Sequence, residues 1–151
     1  MKALLTGSTG FLGGHILRDI LDQFDHIYLL IRKQSLTRAE NLYPNEDKIS
    51  FIVGDLLNMD IIEDVQEYQT IKGNIDSIIH IAAYYDIEGN LSDCYSHNVI
   101  GTQNLLYFAG CCKKINTFHY ISTIAVSGSH SGTYYESVLD EGQSFSNNYA
   151  E

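Results

Sequence analysis

Positive charge is scarce in this chain of 151 residues: nine Lys+Arg stand against 19 Asp+Glu, a formal net charge of −10. That excess of acid argues against a basic nucleic-acid footprint or an anionic-lipid surface, and six histidines do not reverse it. Cysteine is sparse too. Cys94, Cys111 and Cys112 are odd in number and lack metal-ligand spacing, and the adjacent pair is badly placed to bridge to itself. No metal site is expected, and the setting expected is reducing and cytoplasmic. No apolar run approaches the ~18 residues of a membrane span. The start, Met1-Lys2-Ala3-Leu4-Leu5-Thr6-Gly7, is too short an apolar stretch for a signal peptide. The single proline, Pro44, sits in the polar stretch Ser35 to Lys48, which reads as a surface connection. There is no G-x-S-x-G elbow, so Ser127, Ser129, Ser131 and His130 do not make a hydrolase site.

What is present is enough for one domain with a sizeable core: 44% of the residues are hydrophobic and 11% aromatic. The pattern alternates between short β-type runs and longer helical ones. Lys2 to Thr6 reads as a first strand. From Phe11 to Phe24, Leu12, Ile16, Ile20 and Phe24 recur every four residues with Leu17 and Leu21 beside them, which predicts a helix packed on one face. His26 to Ile31 is a continuous apolar run between Asp25 and Arg32, as in a parallel strand buried on both faces, and Ile49 to Val53 is similar. Met59, Ile62 and Val65 predict a helix between Asn58 and Glu67, followed by a fourth strand over Ile75 to Ile81. A helix is expected from about Leu91 to Lys114, with Lys113 and Lys114 at its C-terminus, then a fifth strand over Thr117 to Ser122. Ser127 to Asn148, rich in Gly, Ser, Tyr, Asn and acid, reads as a long loop beyond a strand end. The order predicts an α/β fold, a doubly wound parallel sheet of Rossmann type, with ligand at the carboxyl ends of the strands.

The most informative segment is Thr6-Gly7-Ser8-Thr9-Gly10-Phe11-Leu12-Gly13, with glycines spaced three and three between a strand and an amphipathic helix. Gly7 permits a tight turn, Gly10 lets backbone approach a pyrophosphate, and Gly13 lets the helix lie close to the sheet. The helix N-terminus then offers amide donors and the positive end of its dipole. The spacing departs from G-x-G-x-x-G, and no acidic residue ends strand two. Arg32-Lys33 stands there instead, able to grip a ribose 2′-phosphate where a carboxylate would accept from a 2′-hydroxyl. That choice favours NADP over NAD; the plainer reading of Arg32 and Lys33 is a solvated strand end. Asp55, in Gly54-Asp55-Leu56, is suited either to an adenine amino group or to an exposed turn.

With these residues in view the chain resembles the extended short-chain dehydrogenases/reductases, the NAD(P)-dependent epimerase, dehydratase and reductase family. Five blocks carry the resemblance in order: the Thr6-to-Gly13 loop, Gly54-Asp55-Leu56, Ile78-Ile79-His80-Ile81-Ala82-Ala83, Asn98-Val99-Ile100-Gly101-Thr102-Gln103-Asn104-Leu105-Leu106, and Tyr120-Ile121-Ser122-Thr123-Ile124-Ala125-Val126-Ser127-Gly128. Strand two's Leu-Ile-Arg ending and the Ile-Ser-Thr block look most like the branch of thioester reductases and fatty acyl-CoA reductases. The resemblance implies a catalytic tyrosine at Tyr149 and, at Thr123, a hydroxyl toward the substrate carbonyl, with Ser122 beside it as the alternative inward-facing group. It implies a cofactor set of Gly7, Thr9, Gly10, Phe11, Leu12, Gly13, Arg32, Lys33, Asp55, Leu56, Ala82, Ala83, Asn98 and Ser122. Ala82 and Ala83 would let backbone approach the ribose and nicotinamide, and Asn98 would brace its helix against the neighbouring strand. His80 reads as a satisfied core residue, and Tyr84, Tyr85 and Asp86 as a candidate substrate mouth. The family's lysine four residues after the tyrosine would fall beyond Glu151, so residues 1–151 are expected to be the cofactor-binding, N-terminal part of a longer, catalytically competent protein. The implied activity is NADP-dependent reduction of a carbonyl or acyl thioester. The alternatives are an NAD-dependent sugar-nucleotide epimerase or dehydratase and a non-catalytic NADP sensor. A small-molecule substrate and a possible homodimer complete the expectation.

Overall fold

The computed structural model describes residues 1–44 and 46–151. Five strands, β1 (Lys2–Thr6), β2 (His26–Ile31), β3 (Ile49–Val53), β4 (Ser77–His80) and β5 (Thr117–Tyr120), form one sheet in the order β3-β2-β1-β4-β5. Every pairing is parallel, so each connection must cross a face of the sheet, and helices do this. They are α1 (Phe11–Ile20), α2 (Leu36–Leu42), α3 (Val65–Asn74), α4 (Leu91–Cys94) and α5 (Gly101–Cys111).

The apolar strands are continuous because both faces are covered. Along β1 and β2, Ala3, Leu5, Ile27, Leu29 and Ile31 pack with Leu17 of α1 and Ala39 of α2, while Leu4 and Leu30 pack on the other side with Ile71 of α3 and Leu105 and Phe108 of α5. Neighbouring strand residues therefore belong to different cores, the two-residue period of a pleated strand. After β1 the chain builds β2 and β3 on one side, then returns to place β4 on the other. The strand order thus reverses at β1, and the crevice outside the carboxyl ends of β1 and β4 is the topological switch point.

Several expected element bounds are corrected. The helix expected over Asn58–Glu67 begins at Val65, because Asp64 caps it by accepting from the amides of Gln66 and Glu67. Upstream, Ile61 and Ile62 are both buried and Ile62 bridges to Gly54, so a tucked segment replaces the imagined stripe, leaving Met59 and Val65 exposed. The connection after β2 contains α2, whose Leu36, Ala39 and Tyr43 pack into the core at helical spacing. Helix one gives way after Ile20 to a 3₁₀ turn, Leu21–Gln23. The helix expected over Leu91–Lys114 runs only to Cys111 and is interrupted by a π-helical stretch, Tyr95–Ile100. Strands four and five also stop earlier than expected, at His80 and Tyr120. No helix among the described residues is long and apolar enough to cross a membrane.

Candidate dinucleotide cleft

The first turn beyond β1 is dictated by backbone crowding. Gly7 has φ +79°, and a Cβ there would lie 2.6 Å from the amide nitrogen of Ala82, so the β1 and β4 ends touch backbone to backbone. Gly13 leaves no room either, since its Cβ would meet the carbonyl of Gly7. Gly10 differs from both. Its φ of −83° suits any residue, and an added Cβ would find only the Gly7 carbonyl, at 3.3 Å. Gly10 is thus the least crowded of the three, with one tight backbone contact, and its amide is held by Gly7 O at 3.0 Å. Helix α1 starts here with no side-chain cap and no acid in its first turn, leaving its first amides and dipole to whatever enters.

Those amides face a cleft of about 850 Å³ outside β1, β2 and β4. From the expected set it gathers Gly7, Thr9, Gly10, Phe11, Leu12, Gly13, Arg32, Asp55, Leu56, Ala82, Ala83 and Tyr149. Arg32 stands exposed at the end of β2. Asp55 forms a local turn, Oδ1 accepting from the amide of Leu57 at 3.0 Å, and Asn104 of α5 fixes the next residue by donating to Leu56 O at 2.8 Å. A side-chain-free Gly10, uncapped amides, a cation beyond β2 and an acceptor beyond β3 fit a dinucleotide laid across the switch point.

Four expected residues do not line the cleft: Lys33, Asn98, Ser122 and Thr123. Lys33 begins a 3₁₀ turn, Lys33–Ser35, and is exposed. Asn98 works from behind, where its side chain accepts from Tyr84 N at 2.7 Å and donates to Tyr84 O at 3.0 Å, a two-point brace on the segment after β4. Ser122 is exposed. Thr123 caps a short 3₁₀ turn, Ile124–Ser127, with Oγ1 accepting from Ala125 N at 3.2 Å.

At the opposite end from Arg32 the lining turns aromatic. Tyr84 stacks on His97 with ring centroids 5.4 Å apart, and Tyr85 meets Tyr149 edge to face at 4.8 Å. The loop that delivers Tyr149 is closed at its neck by Ser129 and Ser144, whose hydroxyls are 2.9 Å apart, and by Gln143 donating to Val126 O. Asn148 then donates to Gly89 O at 3.0 Å, pinning Tyr149 beside the 84–90 segment. His97 was missed from sequence because the π-helical stretch breaks the 3.6-residue spacing that places side chains on a face. Asn104 and Gly54 stand in the blocks that carry the resemblance but were given no role there; Gly54 has a plain reason to be glycine, since a Cβ would run into the Ile61 carbonyl.

A profile of the family described as "Male sterility protein" matches residues 5–150. The chain is 29% identical to fatty acyl-CoA reductase 2 of Mus musculus over 140 residues, covering 80% of this chain and 27% of that protein. It superposes on the terminal R domain of the myxalamid PKS-NRPS pathway with TM-score 0.83 and 26% identity, covering 99% of this chain and 42% of that one. A UDP-glucuronic acid 4-epimerase from Bacillus cereus, solved with NAD, gives TM-score 0.74 and 25% identity over 99% of this chain and 48% of that one. The chain spans between 3% and 33% of the length of the curated relatives it matches. It belongs to the male sterility protein family, within the extended short-chain dehydrogenases/reductases, whose members include thioester and fatty acyl-CoA reductases.

Proposed function

We propose that this chain is the dinucleotide-binding part of an NADP-dependent reductase acting on a carbonyl or acyl thioester. The observation that carries this reading is one cleft holding the glycine loop in its middle, Arg32 at one end and Tyr149 at the other. The amides of the first turn of α1 beside Gly10 would hold the pyrophosphate, Arg32 the 2′-phosphate, and Asp55 the adenine amino group. A bound NADPH would supply hydride to the carbonyl carbon. Tyr149 would donate its phenolic proton to the carbonyl oxygen. Thr123 lies outside the cleft lining, its Oγ1 accepting from Ala125 N, so the proton donation rests on Tyr149. The aromatic end, formed by Tyr84, Tyr85, His97 and Tyr149, would receive the substrate.

The likeness to an NAD-bound epimerase supports a second reading, an NAD-dependent epimerase or dehydratase using the same cleft. Calorimetric titration of NADPH and NADH at fixed salt separates the two. NADPH should bind at least tenfold tighter, because charge-assisted bonds to a 2′-phosphate contribute about 1.5–3 kcal/mol, and Arg32→Ala should remove most of that preference. Equal affinities in the unsubstituted chain would refute the NADP assignment.

A further inference from the structure

His80 is 1% exposed, with Phe118 edge to face at 6.4 Å and Tyr120 tilted at 5.6 Å beside it, and plays no part in the chemistry proposed above. Both of its ring nitrogens are nevertheless engaged: Nδ1 lies 2.7 Å from Thr6 Oγ1, and Nε2 lies 3.0 Å from Thr102 Oγ1. The direction of these bonds follows from counting protons. Thr6 Oγ1 accepts from two amides, Ile81 N and Ala82 N, each at 3.2 Å. A hydroxyl has two lone pairs and one hydrogen, so the Thr6 hydrogen is left for Nδ1. Nδ1 is therefore the bare acceptor, and Nε2 carries the hydrogen that it donates to Thr102. Burial keeps the ring neutral, its pKa lowered to about 4.

The upper end of this chain of bonds is a wall of the cleft. Ile81 and Ala82 line it, and the amide of Ala82 packs against Gly7 so tightly that a Cβ has no place there. The lower end is α5, since Thr102 directly follows Gly101, where that helix begins after the π-helical stretch carrying Asn98. Asn98 holds the same segment one step further along, at Tyr84. Neither His80 nor Thr102 lines the cleft.

We propose that Thr6, His80 and Thr102 form a one-directional hydrogen-bond relay that positions the Ile81–Ala82 wall against the glycine loop, so that Thr102 on α5 and His80 at the end of β4 set dinucleotide affinity as positioning residues without touching the ligand. This rests on the cleft being a dinucleotide site.

The test uses the chain as it is. Long-range ¹H–¹⁵N NMR at pH 7, with His80 assigned through His80→Gln, should show Nδ1 unprotonated and Nε2 protonated; a ring protonated at Nδ1 would overturn the relay. In Thr102→Val, which keeps the shape and loses the acceptor, the amide resonances of Ile81 and Ala82 should move and NADPH affinity should fall about tenfold, the effect of one buried hydrogen bond. Thr102→Ser should restore both, whereas a role confined to packing would not be rescued by the smaller hydroxyl residue. Unmoved amides in Thr102→Val, or unchanged NADPH binding, would also overturn the proposal. If the unsubstituted chain binds neither NADPH nor NADH, the proposed function falls, and the tautomer and amide shifts still judge the relay by themselves.

Discussion

Gly10 and Gly13 are three residues apart in one loop, yet the physical reasons for them differ. At Gly13 a methyl group meets the Gly7 carbonyl, so Gly13→Ala should disrupt the turn itself and lower the unfolding temperature. At Gly10 the backbone is unstrained and a Cβ would meet only the Gly7 carbonyl, at 3.3 Å, so Gly10→Val should leave the circular dichroism spectrum near native while abolishing dinucleotide binding measured by calorimetry. Any loss at Gly10 would come from the room a pyrophosphate needs rather than from backbone strain, because φ there is −83°. Undiminished binding in Gly10→Val would remove the loop from the site. Tyr149 is tested differently, because its role is confined to the transition state. In the catalytically competent protein, Tyr149→Phe should lower kcat by roughly 10²–10⁴-fold with NADPH affinity little changed. Single-turnover NADPH oxidation with aldehydes and acyl thioesters reads this, and a wild-type rate would take Tyr149 out of the mechanism.

Among the elements, α3 shows how one side chain sets a boundary. The periodicity of Met59, Ile62 and Val65 suggests a helix, but Asp64 accepts from two amides at 2.8 and 2.9 Å and starts it at Val65. Losing that cap should cost about 1 kcal/mol, and Asp64→Ala should lower Tm by about 3 °C by differential scanning calorimetry. Asp64→Asn, which retains an acceptor, should recover most of the loss. The interruption at Tyr95–Ile100 has the opposite character, being no boundary but a widened turn inside a continuing helix. It carries Asn98 to the backbone of Tyr84 and His97 to the ring of Tyr84, so one irregular turn braces the aromatic end of the cleft from two sides.

At the scale of the whole molecule, the buried neutral ring of His80 couples folding to pH. Its pKa is lowered to about 4 in the folded chain by burial, against an ordinary value of 6.5. Between those two values the unfolded chain binds a proton that the folded one refuses, so stability is full above pH 6.5 and declines as pH falls toward 4. The loss should reach about 3 kcal/mol, at 1.36 kcal/mol per pKa unit. Burial also lowers the pKa of His26, which bonds Ser50 across β2 and β3, and this acts in the same direction. Urea unfolding at pH 7.5, 6, 5 and 4 should show the decline, and His80→Gln should flatten it. A slope unchanged in that variant would assign the acid sensitivity elsewhere.

The amino-acid sequence determined what depends on local composition and period. Five apolar runs made five parallel strands, four of them with at least one end where expected, because a strand covered on both faces has no polar alternation to confuse it. The glycine loop was legible from its spacing: Gly13 answers to the Gly7 carbonyl six residues away, whereas the crowding of Gly7 by Ala82, just beyond β4, exists only in the folded sheet. Helix α2 was hidden by its polar setting, since Leu36, Ala39 and Tyr43 give only two turns of signal. Tertiary structure alone decided which candidates meet. Arg32 and Tyr149, 117 positions apart in the chain, line one cleft because the strand order reverses at β1, while Lys33, one residue from Arg32, lies outside it. The tautomer of His80 belongs to the same class of fact. It is set by two amides on β4's exit and two hydroxyls from β1 and α5, a count of protons that exists only once those segments are packed together.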